Sequence, residues 1–321
     1  MKYITLFETS TAYNVATLDL PNVSLTVDNN TVHYNPYVEP PHDYSQDYFT
    51  MVVTSGGDIK WSGSTTANTL SYSKDNGETW TTANSATPIS VTASDKVLWK
   101  GTPTPQSNKG IGKFSGATDV RYSVEGNAMS LLFGDNFKGQ TSLNGKSYAL
   151  YGLFNGNKNV TSAENLSLPA TTLANNCYYS MFASCTSLTT APELPATTLV
   201  SNCYQYMFAS CTSLTTVPSV LPATTLAESC YDSMFSNCTN LTAAPELPAT
   251  TLAYACYNQM FNKCTSLNSI KCLATNLGGQ DNTLGWVSGV AASGTFVKNA
   301  SMTSWTSGSD GIPNGWTVVD V

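Results

Sequence analysis

The stretch LPATTLANNCYYSMFASCTSLTTAPE, residues 168–193, is the unit from which the middle of this chain is built. Its landmarks return in units that begin at Leu194, Leu221 and Leu247, so consecutive units are 26, 27 and 26 residues apart. A decayed start, LATNL, keeps the period at residues 273–277. This period predicts a solenoid, because one such unit cannot bury its apolar side alone and must stack on its neighbours.

The apolar spacing inside each unit predicts a helix followed by an extended segment. Leu173, Cys177 and Met181 recur at intervals of four residues, which places them on one face of a helix. A threonine before Leu173 can cap the helix, and Pro169 prevents it from extending backwards. Residues 188–194 then favour a short strand, so each unit is expected to contain one helix and one strand.

The nine cysteines all lie between Cys177 and Cys272, and eight of them form pairs spaced eight residues apart. One interpretation is a disulfide in every unit. The other is two columns of buried thiols, favoured because free cysteine packs as a small hydrophobe and a reducing cytoplasm disfavours disulfides. Zinc sites usually have ligands two to four residues apart, and His33 and His42 are distant in sequence. We expect neither a metal nor a cofactor.

The composition excludes several classes of function. Charged residues make up 11% of the chain, against the usual ~25%, and the net charge is -7. Ser, Thr, Asn and Tyr supply the polar surface instead, which suits a protein that meets uncharged partners such as sugars. The acidic balance argues against nucleic acid, and no apolar stretch approaches the ~20 residues that span a bilayer. The apolar run at residues 3–7 is too short for a signal peptide.

The segments before the repeats predict an arm and a β domain. Residues 1–48 contain the cluster Pro40-Pro41 and are expected to form an N-terminal arm, either a flexible leader or an attachment segment that orders on a partner. Residues 49–128 contain short alternating runs separated by turn residues, typical of a small β-sandwich. The segment Ser73–Trp80 resembles the Asp-box of sialidases, which indicates a hairpin here because it occurs once.

The regions that flank the repeats read as caps. Residues 129–167 contain Tyr151-Gly152-Leu153-Phe154, which imitates the unit without its cysteines and predicts an N-cap. Residues 278–321 lose the period, and their strand-like runs and tryptophans predict a β-rich C-terminal cap. The expected fold is therefore mixed: an arm, a small β-sandwich and a solenoid of strand and helix over residues 168–277.

A comparison of the units separates the scaffold from a candidate ligand surface. The apolar positions recur, whereas the outward side of the predicted helix varies from unit to unit. These positions are either unconstrained solvent positions or a recognition surface, and tyrosine and amide side chains can bind sugars with little charge. An equal candidate is the extended edge lined by Thr189-Thr190, Thr215-Thr216 and Thr242. The candidate ligand residues on the helix side are Asn175, Tyr179, Asn202, Tyr206, Glu228, Asp232, Tyr254 and Asn258.

The sequence gives little support for an enzyme. It contains neither a Gly-rich phosphate loop nor a nucleophile elbow, and carboxylates in the repeats do not recur as a pair for acid–base chemistry. We therefore expect no catalytic residues.

The motif CYxxMFxxCTSLTTxPxLPATTL resembles the BspA-like leucine-rich repeats of Bacteroidota surface proteins and of phages that infect these bacteria. The resemblance covers residues 129–321, including the ending GIPNGWTV at 311–318. It implies a right-handed leucine-rich-repeat solenoid and an adhesive role towards cell surfaces or glycans. It implies no catalytic residue and names no ligand.

The segment from LPNVSL at residues 20–25 to VHYNP at residues 32–36 is similar to leaders of predicted virion appendage proteins in gut phages of Bacteroidota. The resemblance implies a head fibre, tail fibre or decoration protein located in the virion, with a homo-oligomeric state. The partners would be other virion proteins, bound through the arm, and a host surface glycan or protein, without nucleic acid or membrane. The alternative is a bacterial cell-surface or secreted adhesin. The implied attachment residues are Val32, His33, Tyr34, Asn35 and Pro36.

Overall fold

The computed structural model describes residues 23–28, 31–36, 42–278 and 281–321. The chain divides into two compact units, Met1–Asp43 and Tyr44–Val321. In the first unit, strands β1 (Val23–Asp28) and β2 (Thr31–Pro36) pair antiparallel as a hairpin. The predicted Pro40-Pro41 extension lies outside the described residues.

The second unit is rich in β-structure. Its described part contains one short α-helix, α1 (Ser130–Phe133), and 3-10 turns at Tyr44–Gln46 and Gly134–Asn136. Its strands are β3 (Phe49–Ser55), β4 (Gly57–Gly63), β5 (Ser71–Ser73), β6 (Thr81–Thr82), β7 (Ile89–Val91), β8 (Lys96–Lys100), β9 (Gly112–Gly116), β10 (Arg121–Asn127), β11 (Val160–Ser162), β12 (Leu166–Ser167), β13 (Ser269–Cys272), β14 (Thr295–Lys298) and β15 (Thr317–Asp320).

Two sheets enclose the core of the region from β3 to β10. The larger has the order β11-β10-β3-β8-β5-β6, with β12 also paired to β10, and the smaller has the order β7-β4-β9. Phe49 and Trp99 from the larger sheet meet Trp61 and Phe114 from the smaller sheet, and all four side chains are fully buried. The alternating apolar residues of these strands explain this arrangement, since successive side chains point to opposite faces.

The segment that resembles an Asp-box forms the predicted hairpin between β5 and β6. Asp75 Oδ1 accepts hydrogen bonds from Ser73 Oγ at 2.6 Å and from the Thr79 amide at 2.9 Å. Asn76 and Gly77 have φ values of 59° and 91°, and the Trp80 indole donates to the Gly77 carbonyl at 3.1 Å. The carboxylate therefore fixes the turn from inside.

The repeats do not contain the predicted helices, and the expectation of a strand-and-helix leucine-rich-repeat solenoid is wrong. In residues 177–185 alternate amides donate to the carbonyl three residues back, which closes a series of consecutive turns. The amides between them donate to the next unit: Tyr178 to Cys203 at 3.0 Å, Ser180 to Gln205 at 2.9 Å and Phe182 to Met207 at 2.9 Å. A helix would keep all of these bonds within one unit.

The backbone angles give the reason for this correction. Asn176, Ser180 and Ser184 have φ values of 57°, 51° and 58°, so every fourth residue is left-handed. An apolar pattern at i, i+1, i+4 and i+5 fits such a row of four-residue turns as well as it fits a helix face. A left-handed residue with a side chain costs roughly 1–2 kcal/mol, and the hydrogen bonds between units offset that cost.

In the described part of the chain, the same three left-handed positions recur in six stacked units, which we call coils. They are residues 148, 152 and 156; 176, 180 and 184; 202, 206 and 210; 229, 233 and 237; 255, 259 and 263; and 281, 285 and 289. The first and last coils fill two of the three positions with glycine. The coil geometry thus continues beyond the cysteine-containing units into residues 281–289, where the sequence motif is lost.

The predicted strand of each repeat is also largely absent. Where strands were expected, the coils contact one another through single parallel bridges, such as Ser162 to Thr190 and Thr190 to Thr216. In the described residues, three parallel strands pair at the far end in the order β13-β14-β15, and β10 pairs parallel with β11 and β12 at the front. The paired β-structure therefore runs between coils, not along one unit.

Columns of identical side chains fill the interior of the stack. Tyr178 and Tyr204 stack with ring centroids 5.5 Å apart, and Phe182 and Phe208 stack at 5.7 Å. All nine cysteines are buried free thiols, and Cys211 Sγ donates to the Phe182 carbonyl at 3.0 Å. This is the thiol-column interpretation of the cysteine spacing, and it leaves the interior without disulfides. Trp286 closes the tyrosine column by stacking on Tyr257 at 6.2 Å.

Candidate functional site

The outward side of the turns forms a surface that we call the turn face, made of residues 175–184 and their equivalents in the other coils. Along each row of turns, two inward residues alternate with two outward residues. Within residues 175–184 the large buried side chains are Cys177, Tyr178, Met181 and Phe182, whereas Asn175 and Ser184 are exposed and Asn176 and Tyr179 are half-buried. The residues that vary between units therefore share one side of the stack.

A central row runs along this face, with one residue from each of the first five coils: Tyr151, Tyr179, Gln205, Asp232 and Asn258. The backbone sets its register. The carbonyls of Tyr179, Gln205 and Asp232 accept hydrogen bonds from the preceding coil at 2.9 Å, and that of Asn258 accepts one at 2.8 Å. The backbone hydrogen bonds between neighbouring coils, which we call the ladder, therefore hold the row in register together with side-chain packing.

The first half of the row is an aromatic platform. The Tyr151 and Tyr179 rings stack at 4.8 Å with 7° between their planes, and Tyr206 meets Tyr179 edge-on at 5.6 Å. Burial, followed by the neighbouring phenols Tyr151 and Tyr206 and the Asp232 carboxylate, raises the pKa of Tyr179 to about 12. Tyr179 is therefore a neutral phenol at physiological pH, able both to donate and to accept a hydrogen bond.

The second half of the row is a hydrogen-bonded chain across two coils. Asn202 Nδ2 donates to Gln205 Oε1 at 2.6 Å, and Gln205 Nε2 donates to Asp232 Oδ2 at 2.9 Å. Ser233 Oγ donates to Asp232 Oδ1 at 2.7 Å. Burial raises the pKa of Asp232, and these two hydrogen bonds to the carboxylate oppose the rise. The chain fixes the orientation of the amides beside the aromatic platform.

The eight predicted ligand residues all occur on the turn face, but in different environments. Tyr179, Asp232 and Asn258 belong to the central row, and Asn202 and Tyr206 lie at left-handed positions beside it. Asp232 was expected to be exposed, yet it is only 8% exposed. The remaining three, Asn175, Glu228 and Tyr254, form an exposed row one turn earlier along each coil.

Sequence reasoning missed two members of the central row, Tyr151 and Gln205. Tyr151 lies in the segment interpreted as a cap, although Tyr151-Gly152-Leu153-Phe154 aligns directly with Tyr179-Ser180-Met181-Phe182. Alignment of the first coil with the others would have revealed the tyrosine pair. Gln205 belongs to a variable position, but only the register places its amide against Asp232.

The predicted attachment residues lie in the other unit. Val32, His33, Tyr34, Asn35 and Pro36 belong to β2, whose backbone pairs with β1 from Val27 opposite Val32 to Val23 opposite Pro36. The hairpin gives this segment a regular backbone.

Other types of site find no support in the described part of the chain. Its histidines, cysteines and carboxylates form no group that could hold a metal ion. Burial raises the pKa of Cys177 and of Cys211 to about 12, so these thiols lack the thiolate character of reactive cysteines. In the described residues, no helix is both long and apolar enough to span a bilayer.

Comparison of the chain with protein-family models, with curated proteins and with solved structures finds no match. The family resemblance of residues 129–321 therefore stays a prediction from the sequence. The geometry of the turn face is what bears on function.

Proposed function

We propose that this chain is an adhesion protein that presents its turn face to an uncharged glycan on a host cell surface. The observation that carries the proposal is the aromatic platform of Tyr151, Tyr179 and Tyr206, which lies directly beside the Gln205–Asp232 chain. Because the stacked rings cover one another's faces, they present their edges and phenol hydroxyls outward. These hydroxyls and the neighbouring amides can pair with the hydroxyls of a sugar. The rigid ladder between coils holds these groups in place before the ligand arrives, which reduces the ordering cost of binding.

We further propose that the protein works as part of a phage virion, as a head fibre, tail fibre or decoration protein. The division into the units Met1–Asp43 and Tyr44–Val321 supports separate attachment and recognition roles. The hairpin residues Val32 to Pro36 would bind other virion proteins, and homo-oligomers would present several turn faces at once. The alternative is a bacterial surface or secreted adhesin.

Ring removal tests the recognition role. Binding of the full chain to host cells and to a glycan array is compared for wild type, Tyr179→Ala and Tyr206→Ala. Each substitution should weaken binding about fivefold, since the lost hydrogen bond of a phenol contributes on the order of 1 kcal/mol. Val318→Ala is the control: this side chain is 44% exposed and belongs to β15, outside the turn face. Unchanged binding in both platform variants would rule out the turn face as the glycan site.

Truncation tests the attachment role. Tyr48 packs on Phe137 with ring centroids 4.9 Å apart, so the deletion should stop before it, at residue 43. Mass spectrometry of purified virions should detect the full chain but not the truncated one, whose melting curve should show a folded protein. Detection of the full chain only in host envelope fractions would favour the bacterial adhesin.

A further inference from the structure

A second regular surface lies where each unit begins, before the residues of the turn face. We call it the threonine grid: the Thr-Thr pairs at residues 171–172, 197–198, 224–225 and 250–251. All eight side chains are exposed. The backbone holds the pairs in register, because the Thr197 carbonyl accepts hydrogen bonds from the Thr224 and Thr225 amides at 3.1 and 3.3 Å. The grid is therefore a surface array of four rows, one for each cysteine-containing unit.

The four units differ from one another at other exposed positions but not in the grid. The decayed start that follows them carries Thr275-Asn276, and Thr275 Oγ1 donates to the Thr250 carbonyl at 3.3 Å. On the turn face, Asn175 is replaced in successive units by Ser201, Glu228 and Tyr254. Packing cannot explain the constancy of exposed side chains, and recent duplication cannot explain it when exposed neighbours have diverged. Some property of the threonine pairs themselves is retained.

The other threonine edge shows what a structural role looks like. Thr189 Oγ1 donates to the Thr161 carbonyl at 2.9 Å, and Thr215 Oγ1 donates to the Thr189 carbonyl at 3.3 Å. That edge decays along the stack, since the later units carry Thr242-Ala243 and Asn268-Ser269 at these positions. In residues 42–278, the eight grid hydroxyls make no hydrogen bond to another protein group. They are available to a ligand.

We propose that the threonine grid is a binding surface for an uncharged, linear polysaccharide that lies along the axis of the stack. This proposal takes its class of ligand, a neutral sugar, from the adhesion role proposed above, but it places the binding on different residues. Each threonine offers a hydroxyl that donates and accepts and a methyl that packs on C–H groups, and the pairs carry no charge. This chemistry matches neutral sugars and gives no reason to bind an anionic polymer.

The spacing of the coils narrows the ligand further. The stacked rings of Tyr178, Tyr204 and Tyr231 are 5.5 and 5.8 Å apart, and paired strands lie about 4.8 Å apart. One sugar residue of an extended β-linked glycan advances by a similar distance, so successive sugars can meet successive threonine pairs. A helically coiled α-linked glycan cannot keep that register. Weak contacts repeated along one chain then add to a useful affinity.

The test uses the full chain and three solid polysaccharides: cellulose and chitin, which are extended and β-linked, and amylose, which is coiled and α-linked. Depletion from solution gives the affinity. Wild type should bind cellulose or chitin and leave amylose unbound. The triple variant Thr198→Val, Thr225→Val and Thr251→Val keeps the branched shape and loses three hydroxyls. Each hydrogen bond that is made to the ligand should contribute about fivefold to the affinity. The affinity of the triple variant should therefore fall at least tenfold.

The matched control replaces the same three threonines by serine, which keeps the hydroxyls and should bind within a few-fold of wild type. Both triple variants should melt at the wild-type temperature. The proposal is overturned if wild type binds neither cellulose nor chitin, if the valine variant binds like wild type, or if the serine variant loses as much as the valine variant. A dimer that the valine variant abolishes in analytical ultracentrifugation would assign the grid to self-association instead.

A Tyr179→Ala, Tyr206→Ala double variant separates this surface from the turn face. It should keep its binding to cellulose or chitin even where its binding to host cells is lost. Loss of polysaccharide binding in this variant alone would place the polysaccharide on the turn face and overturn the grid. Host-cell binding that depends on neither tyrosine would overturn the turn-face proposal and leave the grid result standing.

Discussion

The region from β3 to β10 and the coil stack bury aromatic side chains in opposite ways. In the β region, Phe114 contacts Phe49, Trp61, Trp99 and Phe154 at centroid distances of 5.9, 4.8, 4.8 and 5.4 Å, at mixed angles. In the stack, Phe208 contacts the equivalent residues of the two neighbouring coils, Phe182 and Phe235, nearly parallel at 5.7 and 5.6 Å. One region is a cluster of different residues and the other is one residue repeated.

This difference changes how each region responds to sequence variation. A cluster of unlike side chains must fit in three dimensions, so each of its residues is constrained by several others. A column constrains each residue mainly by its two neighbours, while the outward positions are left free to vary. The stack can therefore change its surface without changing its interior, which suits a recognition scaffold.

The largest expected effect is alkaline unfolding of the stack. Burial raises the pKa of Cys177, Cys211, Cys264 and Cys272 to about 12, from an ordinary value of 9.0. Because the folded pKa is raised, the stabilisation is complete below pH 9 and is lost as the pH rises from 9 to 12. In that window each such thiol lowers the free energy of unfolding by about 1.4 kcal/mol per pH unit. The four thiols together remove more than the ~5–15 kcal/mol by which a typical domain is stable.

Near-ultraviolet circular dichroism during an alkaline titration measures this loss. The cysteines all lie between residues 177 and 272, so the β region has no thiol that contributes to it. A Cys177→Ala, Cys211→Ala variant has two fewer buried thiols. Between pH 9 and pH 12 it should therefore lose less of its neutral-pH stability than wild type. A chain that keeps its signal unchanged to pH 12 would contradict the buried-thiol account.

Two substitutions of phenylalanine by alanine test the difference between the cluster and the column. Both Phe114→Ala and Phe208→Ala should destabilise the protein, in the range of about 3–5 kcal/mol for a buried phenylalanine. Phe114 should be near the upper end, because it loses contacts with four rings where Phe208 loses two. Chemical denaturation gives both free energies of unfolding. A larger loss at Phe208 would show that the column is the more tightly coupled interior.

The smallest effect distinguishes the turns from the predicted helix by its sign. Gly156 has a φ of 73°, with no atom within 4 Å of where a Cβ would be, so Gly156→Ala changes only backbone energetics. In a left-handed position this substitution should cost roughly 1–2 kcal/mol, whereas inside a helix it would stabilise by about 0.5–1 kcal/mol. The reciprocal change, Ser184→Gly at the equivalent position with a φ of 58°, should not destabilise. Thermal melting measures both.

Part of the site follows from the sequence and part does not. Comparison of the units identifies Tyr179 and Asp232 as variable outward positions, and the structure places both on the turn face. Sequence reasoning treats Asp232 as exposed, because the hydrogen bond from Gln205 in the preceding coil is visible only once the coils are in register. The platform formed by Tyr151 and Tyr179 depends on the first coil having the same geometry despite a different sequence.

The sequence by itself determined that the chain repeats with a period of 26 or 27 residues, that the cysteine, tyrosine, methionine and phenylalanine positions face inward, and that a hairpin surrounds Asp75. Only the tertiary structure decided the path of the backbone. Residues spaced like Leu173, Cys177 and Met181 fit a helix and a row of turns equally well, and the choice depends on where the amides find acceptors. Half of those acceptors belong to the neighbouring coil, so the sequence of one unit alone does not determine its backbone path.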